Sequence, residues 1–428
     1  MRLSQQPVKL YYCYKATKAV GFYRPILILY LLAQGLTYTQ VALLEGLYAL
    51  TTVLGEVPTG YLGDRLGRRN SLLVGTVLIT VALIGIGLTG TFPVLIGFYI
   101  IWSMGYNFRS GSDDAWLYDT LAERSSSMAF TTVKGRGVAA GLFVGGLGSI
   151  LGGYLGQIDL SLPFFVAAAV SALGLLALGP LPEPTRSSES QSLGAGDIFR
   201  VIGTSLSRPS LRWFIVYYFM LFVPIIEILI LQVQPVTKTV LVNAGVASGT
   251  VKSLLGWLYA AFSLLAAIIS YNTGVIKTRV GYRRWFFAVP LFIAGGLLSL
   301  AIIPLLALPV FVFARGIFDA THSLASGYVN NRIGSSARAT IISSLALVSS
   351  LVSVPAQVAS GRVADATSPL WVLVMSGGIL AVGVVFLLII GRPFLEMETE
   401  HESVEMTHEA YSDIQADDIS ESIDEVQD

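Results

Sequence analysis

Hydrophobic runs of about twenty residues recur along most of the chain and are separated by short polar segments. A helix of that length crosses the hydrocarbon core of a bilayer, which is about 30 Å thick. Because no water is available at that depth, the backbone must satisfy its hydrogen bonds within each segment, which favours helices. The runs predict twelve spans, at 10–36, 39–63, 71–91, 93–121, 134–157, 161–180, 212–236, 248–276, 284–306, 308–333, 338–364 and 368–391.

A polar interval near the middle of the chain separates two groups of six predicted spans. It contains Pro184 and a serine-rich run, which are typical of a linker. We predict an N-terminal six-helix bundle over 1–180, a cytoplasmic linker with a short amphipathic helix over 181–211, and a C-terminal six-helix bundle over 212–392. The predicted fold class is therefore an all-α polytopic membrane protein with two pseudo-symmetric six-helix bundles.

The composition supports this fold class. Of the 428 residues, 54% are hydrophobic and 13% are charged, and the mean hydropathy is +0.70. Soluble domains contain about 25% charged residues. The single cysteine, Cys13, excludes an internal disulfide and a cysteine-based metal cluster. No glycine-rich loop precedes a Lys-Ser/Thr pair, so we do not expect the protein to bind ATP. We also expect no other cofactor and no nucleic acid partner.

Lysine and arginine concentrate in every second loop, and this bias places those loops in the cytoplasm. Because twelve spans bring the chain back to its starting side, we expect both termini to be cytoplasmic and the protein to lie in the plasma membrane. Thirteen carboxylates and no Lys or Arg follow Arg392, so a basic body carries an acidic tail. We predict that this tail, 393–428, is disordered and solvated; a regulatory or partner-binding role is the alternative.

The most charged loop lies between the second and third predicted spans, and we call it the signature loop. It reads Gly60-Tyr61-Leu62-Gly63-Asp64-Arg65-Leu66-Gly67-Arg68-Arg69, with a weaker copy at 274–284. We expect Gly60 to let its helix pack closely against a neighbour. We expect Asp64 to accept hydrogen bonds at the N-terminus of another helix. Arg68 and Arg69 are predicted to pair with Asp119 at the end of the fourth span, although a role in membrane topology alone is the alternative.

The signature loop, preceded by Glu56-Val57-Pro58-Thr59, resembles the motif between helices 2 and 3 of the major facilitator superfamily of secondary transporters. The degraded second copy, the twelve spans and the central linker agree with that family. The resemblance implies two halves that rock around a central site, with the loop acting as a latch between them. It also implies that helix 11 supplies the helix end that the latch contacts. The Gly-Pro pair that the family's antiporters carry in helix 5 is missing, which weighs against a drug/proton antiporter.

Charged side chains within the predicted spans are the candidate site residues, because each costs about 2.5–3.5 kcal/mol to place at bilayer depth. Two sets share one spacing, since an Arg precedes an Asp by four residues in the fourth and tenth spans. Residues four apart share a helix face. We predict that both sets face a central cavity; the alternative is that each Arg–Asp pair forms an intrahelical or interhelical salt bridge that steadies the bundle. The candidates are Arg24, Glu45, Arg109, Asp113, Asp114, Glu227, Arg315, Asp319 and His322.

Three of these candidates are considered for proton transfer. His322 titrates near neutral pH when its surroundings leave it unperturbed, and Asp319 lies close to it in sequence. A buried, hydrogen-bonded histidine is the alternative. Glu227 lies near the middle of the seventh span and is a second proton candidate. Glu45 is predicted either to pair with Arg24 or to line an outer vestibule.

The sequence therefore predicts a secondary transporter for a small polar or amphiphilic solute, coupled to protons and working by alternating access. A non-transporting receptor or scaffold that signals through the acidic tail is the alternative. An enzyme is not expected, since no nucleophile and base stand together. The expected partners are the solute, H+ and the lipid bilayer, and we expect a monomer.

Overall fold

The computed structural model describes residues 6–18, 21–123, 130–184, 209–330 and 338–390. Within these ranges every regular element is a helix. The N-terminal group comprises α1 Gln6–Thr17, α2 Leu27–Ala33, α3 Tyr38–Leu66, α4 Arg68–Leu88, α5 Phe92–Glu123, α6 Phe130–Ile158 and α7 Leu162–Leu178. The C-terminal group comprises α8 Pro209–Ile215, α9 Val223–Asn243, α10 Ser248–Tyr271, α11 Thr273–Arg279, α12 Gly281–Ser299, α13 Ala307–Asn330, α14 Arg338–Ala366 and α15 Pro369–Ile390. A π-helical turn, Val216–Phe222, joins α8 to α9.

Seven helical stretches of the described residues are long and apolar enough to cross a membrane, and the bent helix α3 makes an eighth. The structure therefore shows a helical, multi-span membrane protein. The predicted number of twelve spans stays a prediction, since α7, for example, has only 17 residues. Most of the predicted linker, the whole tail at 393–428 and the junction at 331–337 lie outside the described residues.

The first predicted span is not one helix, and that prediction is wrong. Helix α1 ends at Thr17, residues 21–26 form turns, and α2 begins at Leu27. Pro25 accounts for the break, because proline has no amide hydrogen and disfavours helical geometry in the residue before it. The interruption places Arg24 on a turn between two short helices rather than on a helix face.

The buried side chains divide into separate hydrophobic cores. In the N-terminal group, one core is built around residues such as Tyr30, Tyr99 and Phe164. In the C-terminal group, a larger core contains Phe214 and Phe286 among many others. Two cores of this kind are expected when two helical units each bury their own apolar faces. We refer to the two groups below as the N-terminal half and the C-terminal half.

The two halves touch mainly along two helix pairs, α3 with α14 and α6 with α10, and a smaller contact joins α2 to α9. Glycines allow these approaches: a Cβ at Gly361 would lie 2.8 Å from the Cα atom of Thr39, and one at Gly256 would lie 2.5 Å from the carbonyl oxygen of Ser149. Small residues let membrane helices pack this closely. These contacts lie toward the end of the molecule that carries the loop 34–37, which we call the far end.

The opposite end of the molecule carries the loop between α3 and α4, and we call it the basic end. There a Cβ at Gly60 would meet nothing within 4 Å among the residues that the structure describes, so the close packing expected at Gly60 is not made in this conformation and stays a prediction. Helix α3 also bends by 55° near Pro58, which interrupts its hydrogen-bond ladder. The halves are therefore held together at the far end, while the described residues leave space beside the Gly60 face of α3.

Candidate functional site

A cavity of about 240 Å³ lies between the two halves. We call it the central cavity. The N-terminal half supplies its charged residues Arg24 and Glu45, and the C-terminal half supplies Glu227, Gln234 and Gln357. Three of the nine charged candidates therefore meet at one place.

Arg24 and Glu45 form a loose ion pair in this cavity. Arg24 Nη1 lies 3.5 Å from Glu45 Oε2, and the Tyr99 hydroxyl donates to Glu45 Oε1 at 3.1 Å. The Arg24 side chain is 41% exposed, whereas that of Glu45 is 17% exposed. The guanidinium therefore keeps donors free toward the cavity. This arrangement suits an arginine that exchanges its carboxylate partner for a group on a solute.

Gln234 joins the halves at the break in the first span. Its Oε1 accepts hydrogen bonds from the backbone N–H groups of Ile28 at 2.8 Å and Leu29 at 3.1 Å. Its Nε2 donates to the carbonyl oxygen of Arg24 at 2.8 Å. The N–H groups of Ile28 and Leu29 belong to the first turn of α2, where a helix leaves its amides without partners. Sequence reasoning missed Gln234, although a glutamine in the apolar run 223–236 was a usable signal.

Glu227 differs from the other candidate carboxylates in its surroundings. Its Oε2 accepts a hydrogen bond from Gln357 Nε2 at 2.8 Å. Within the described ranges no Lys or Arg forms an ion pair with it. A carboxylate with an amide partner but no cation is easier to protonate in an apolar bundle than one held by an ammonium group. Glu227 is thus suited to carry a proton.

The alternative for α5, a salt bridge between Arg109 and Asp113, is not formed in the structure. Asp113 Oδ2 instead accepts from the ammonium groups of Lys15 and Lys18, each at 2.7 Å. Arg109 Nε donates to the Tyr14 hydroxyl at 3.1 Å, and its guanidinium lies 5.3 Å from the centre of that ring. The reason is that α1 packs beside α5 and brings its own polar face against the shared face of the two residues.

The remaining intramembrane candidates stay apart from the central cavity. Asp114 pairs with Lys134 at 2.5 Å, and both side chains are more than two-fifths exposed. On α13, Arg315 pairs with Asp319 at 3.2 Å, and Nδ1 of His322 lies 3.4 Å from the Tyr218 hydroxyl. None of these candidates lines the central cavity, although Phe318 of the same α13 face does. The prediction that both Arg–Asp sets meet in one central site is therefore wrong for this conformation.

A second cavity, of about 340 Å³, opens within the N-terminal half and shares Arg24 and Tyr48 with the central cavity. We call it the aromatic cavity. Arg109 is the only one of the predicted α5 charges that lines it in the described structure. Its aromatic side chains are Tyr23, Tyr48, Trp102 and Tyr106. Sequence reasoning did not select these four, because aromatic residues are common in spans and their convergence depends on tertiary packing.

The signature loop is anchored within its own half. Gly67 ends α3 with a φ of +93°, a left-handed conformation that glycine adopts without strain. Arg68 pairs with Asp64 at 2.9 Å, and Arg65 lies over the ring of Tyr61. These contacts hold the turn between α3 and α4.

Arg69 completes this anchor by reaching the end of α7. Its side chain donates to the carbonyl oxygens of Leu178 and Gly179, and its backbone N–H donates to Glu183. Carbonyl groups left without partners at a helix C-terminus attract cations. Arg68 and Arg69 therefore have partners other than the predicted Asp119, namely Asp64 for Arg68 and the end of α7 with Glu183 for Arg69. No set of three or more His, Cys, Asp or Glu residues in the described ranges is arranged to hold a metal ion.

The family model of the Major Facilitator Superfamily matches residues 19–354 of the chain. The chain belongs to this superfamily. It is accordingly a membrane transporter by family and not an enzyme, and the resemblance inferred from the signature loop is confirmed.

Two bacterial relatives are similar to part of the chain. The uncharacterized MFS-type transporter YxaM of Bacillus subtilis is 23% identical over 168 residues, which are 39% of this chain and 41% of that protein. Quinolone resistance protein NorA of Staphylococcus aureus is 25% identical over 174 residues, 40% of this chain and 43% of NorA. The matched segments span about two fifths of the length of these relatives.

Solved structures match over most of the chain. The nucleoside transporter NupG superimposes with a TM-score of 0.74 at 14% identity, covering 91% of this chain and 99% of NupG. A bacterial homologue of the human lysosomal transporter Spinster, inward-facing and occupied, gives a TM-score of 0.66 at 16% identity, covering 92% and 97%. At such identities these likenesses show the fold alone.

Proposed function

We propose that the protein is a secondary active transporter that binds a small solute between its halves and moves it by alternating access, coupled to protons. The observation that carries this proposal is the central cavity itself, which both halves line and where Arg24, Glu45 and Glu227 meet. Sites at the interface of two repeats, near the middle of the membrane, are the general arrangement of such transporters.

The contacts between the halves support a rocking motion. At the far end, the Asp365 carboxylate of α14 accepts hydrogen bonds at the start of α3, from the backbone N–H groups of Tyr38 and Thr39 and from the Thr39 hydroxyl. At the basic end, the described residues leave open space beside Gly60. We take the basic end as cytoplasmic, following the Lys/Arg bias. The structure then corresponds to a state closed to the outside.

In the opposite state, the far-end bonds of Asp365 break and the basic ends of α3 and α14 approach each other. Gly60 lies fourteen residues, about four helical turns, beyond Gly46, and Gly46 faces Val354 of α14. Gly60 is therefore placed to accept α14 when the basic end closes. Asp64 is proposed to latch that closed state, as the signature loop implies.

Proton coupling is assigned to Glu227. Glu227 lines the cavity without a cationic partner among the described residues, whereas Glu45 and Asp113 are each ion-paired, so a proton can neutralise Glu227 without breaking an ion pair. It lines the same cavity as Arg24, so protonation changes the electrostatic field at the solute site. Uptake of a proton and binding of a solute are thereby linked.

The test uses the full-length protein in liposomes that contain a pH-sensitive dye. Solutes are first screened by thermal shift at two pH values, since a ligand of the folded state raises the melting temperature. A hit is then added to the liposomes. We expect it to drive proton flux in the native protein, and Glu227→Gln to abolish that flux while solute exchange persists.

Asp319→Asn is the matched control, because its carboxylate lies outside the central cavity and its loss should leave the flux intact. Proton flux at the native rate in Glu227→Gln would reject Glu227 as the coupling group. If no solute binds and none is exchanged, transport itself is rejected and the receptor or scaffold function is favoured.

A further inference from the structure

The aromatic cavity has an excess of positive charge. Lys18, Arg24 and Arg109 line it, and none of the described residues that line it is a carboxylate. The nearest acidic partners are Glu45, at 3.5 Å from Arg24, and Asp113, which Lys18 shares with Lys15. Four cations thus face two carboxylates in this part of the N-terminal half.

Of these four cations, Arg109 is the one whose positive charge is least balanced by nearby carboxylates. Its side chain is buried, with the residue only 4% exposed, and Nε donates to a neutral phenol, that of Tyr14. No carboxylate pairs with it among the described residues. Burying a charge without a counter-charge is costly. An anion that enters the cavity relieves this cost, so the geometry favours a negatively charged solute.

The walls of the aromatic cavity favour a planar apolar group. The ring centre of Trp102 lies 5.4 Å from that of Tyr23 and 4.8 Å from that of Tyr48, and Tyr106 follows at 6.4 Å from Tyr48. Rings at such distances stack or meet edge to face, and a further ring can join the cluster in the same way. The hydroxyls of Tyr23, Tyr48 and Tyr106 donate no hydrogen bond within the described ranges, so they are available to a solute.

From these observations we infer that the solute is a small aromatic anion, such as an aromatic carboxylate, whose charge binds Arg24 and Arg109 and whose ring packs among Tyr23, Tyr48 and Trp102. This inference rests on the proposed transport function and names its substrate class. The cavity volume of about 340 Å³ is near the lower end of small-molecule sites, which suits one or two rings. Because Arg24 lines both cavities, the anion lies beside the proton site at Glu227.

The test measures binding to the purified full-length protein by isothermal titration calorimetry. The probe is 2-naphthoate, compared with 2-naphthamide, which lacks the charge, with 2-naphthylmethylammonium, which reverses it, and with hexanoate, which lacks the ring. We expect 2-naphthoate to bind at least about tenfold more tightly than each of the other three, since charge-assisted contacts and ring stacking each contribute that much.

Two variants separate the contributions of charge and ring. Arg109→Gln should weaken 2-naphthoate about tenfold or more and leave 2-naphthamide unchanged, whereas Tyr48→Leu should weaken both aromatic probes and spare hexanoate. Arg315→Gln is the matched control for loss of an arginine, because Arg315 lines neither cavity. It should leave all four affinities unchanged. Circular dichroism and size-exclusion profiles identify any variant that fails to fold, and Arg24→Gln then replaces Arg109→Gln.

Equal affinity for 2-naphthoate and either 2-naphthamide or 2-naphthylmethylammonium would overturn the inference, as would tight binding that neither arginine variant weakens. Absence of binding by all four probes would also overturn it. The transport proposal is judged separately, by the proton flux that a screened solute drives. A cationic or aliphatic solute that drives flux lost in Glu227→Gln would leave the transporter intact and reject only the substrate class.

Discussion

Helices α5 and α13 carry the same charged spacing but use it differently. In α5, Arg109 and Asp113 are 4% and 3% exposed and bind side chains of α1. In α13, Arg315 and Asp319 pair with each other, with side chains 33% and 50% exposed. One spacing therefore gives a buried network between helices in the N-terminal half and a partly solvated local pair in the C-terminal half.

The difference originates in the first helix of each half. Helix α1 stops before Pro25 and places Lys15 and Lys18 against α5. The corresponding stretch of the C-terminal half runs through the π-helical turn and is aromatic, with Tyr217 and Tyr218 fully buried in the large core. Without cations from that stretch, Asp319 pairs within its own helix. The proposed roles divide along the same line, with anion binding in one half and proton transfer in the other.

The largest effect expected from this comparison is on stability. Asp113→Asn leaves two part-buried ammonium groups, 13% and 25% exposed, without their counter-charge, and removing one partner of a buried pair costs up to about 3–5 kcal/mol. Asp319→Asn breaks a half-exposed pair that contributes about 1 kcal/mol or less. The unfolding midpoints of the two variants in the same detergent measure the difference.

A compensating variant checks the cause of that loss. Adding Lys18→Met to Asp113→Asn removes one of the two part-buried cations and should restore part of the lost stability. Similar losses for Asp113→Asn and Asp319→Asn, or no recovery in the double variant, would show that burial does not distinguish the two helices.

The second expected effect is on access to water. In a background without Cys13, a cysteine at Asp319 should react with a small charged thiol reagent, because that position is half exposed. A cysteine at Ser112, which is 5% exposed on α5, should react about a hundredfold more slowly, since it must wait for local opening. Ser112 is the better probe of α5 because its replacement preserves the charges.

Comparable reaction rates at the two positions would mean that α5 opens to water as readily as α13. Adding a solute that the protein binds extends the comparison of the two reaction rates. If the halves rock, the rate at position 319 should fall when the basic end closes, whereas the rate at position 112 should stay low.

Local sequence signals predicted the long helices well. The predicted span 93–121 corresponds to Phe92–Glu123 and the predicted span 134–157 to Phe130–Ile158. Long apolar runs and the polar residues that end them are properties of neighbouring residues, so a single sequence contains them. The break after α1 was missed although Pro25 marks it locally, and the partner of its open backbone groups, Gln234, lies about two hundred positions away.

The candidate site was predictable to the same extent, since its residues could be selected from the sequence but their partners could not. Arg24, Glu45 and Glu227 were selected because charge within a span is costly, and all three line the central cavity. The partner of each charge was not predictable in the same way. Residue spacing along α5 left open whether Arg109 and Asp113 face a cavity or pair with each other, whereas the packing of α1 decided that Lys15, Lys18 and Tyr14 are the partners.

The smallest expected effect concerns two tyrosine hydroxyls in comparable places. Tyr14→Phe removes the acceptor at 3.1 Å from Arg109 Nε and keeps the ring beneath the guanidinium, so we expect a loss of about 1.5 kcal/mol, the lower range for a hydrogen bond to a charged group. Tyr218→Phe removes a contact of 3.4 Å to His322, too long to contribute much, and should change stability little. Unfolding midpoints test both, and Tyr14→Phe in the Arg109→Gln background should cost nothing further. A larger loss for Tyr218→Phe than for Tyr14→Phe would reverse the proposed difference between the halves.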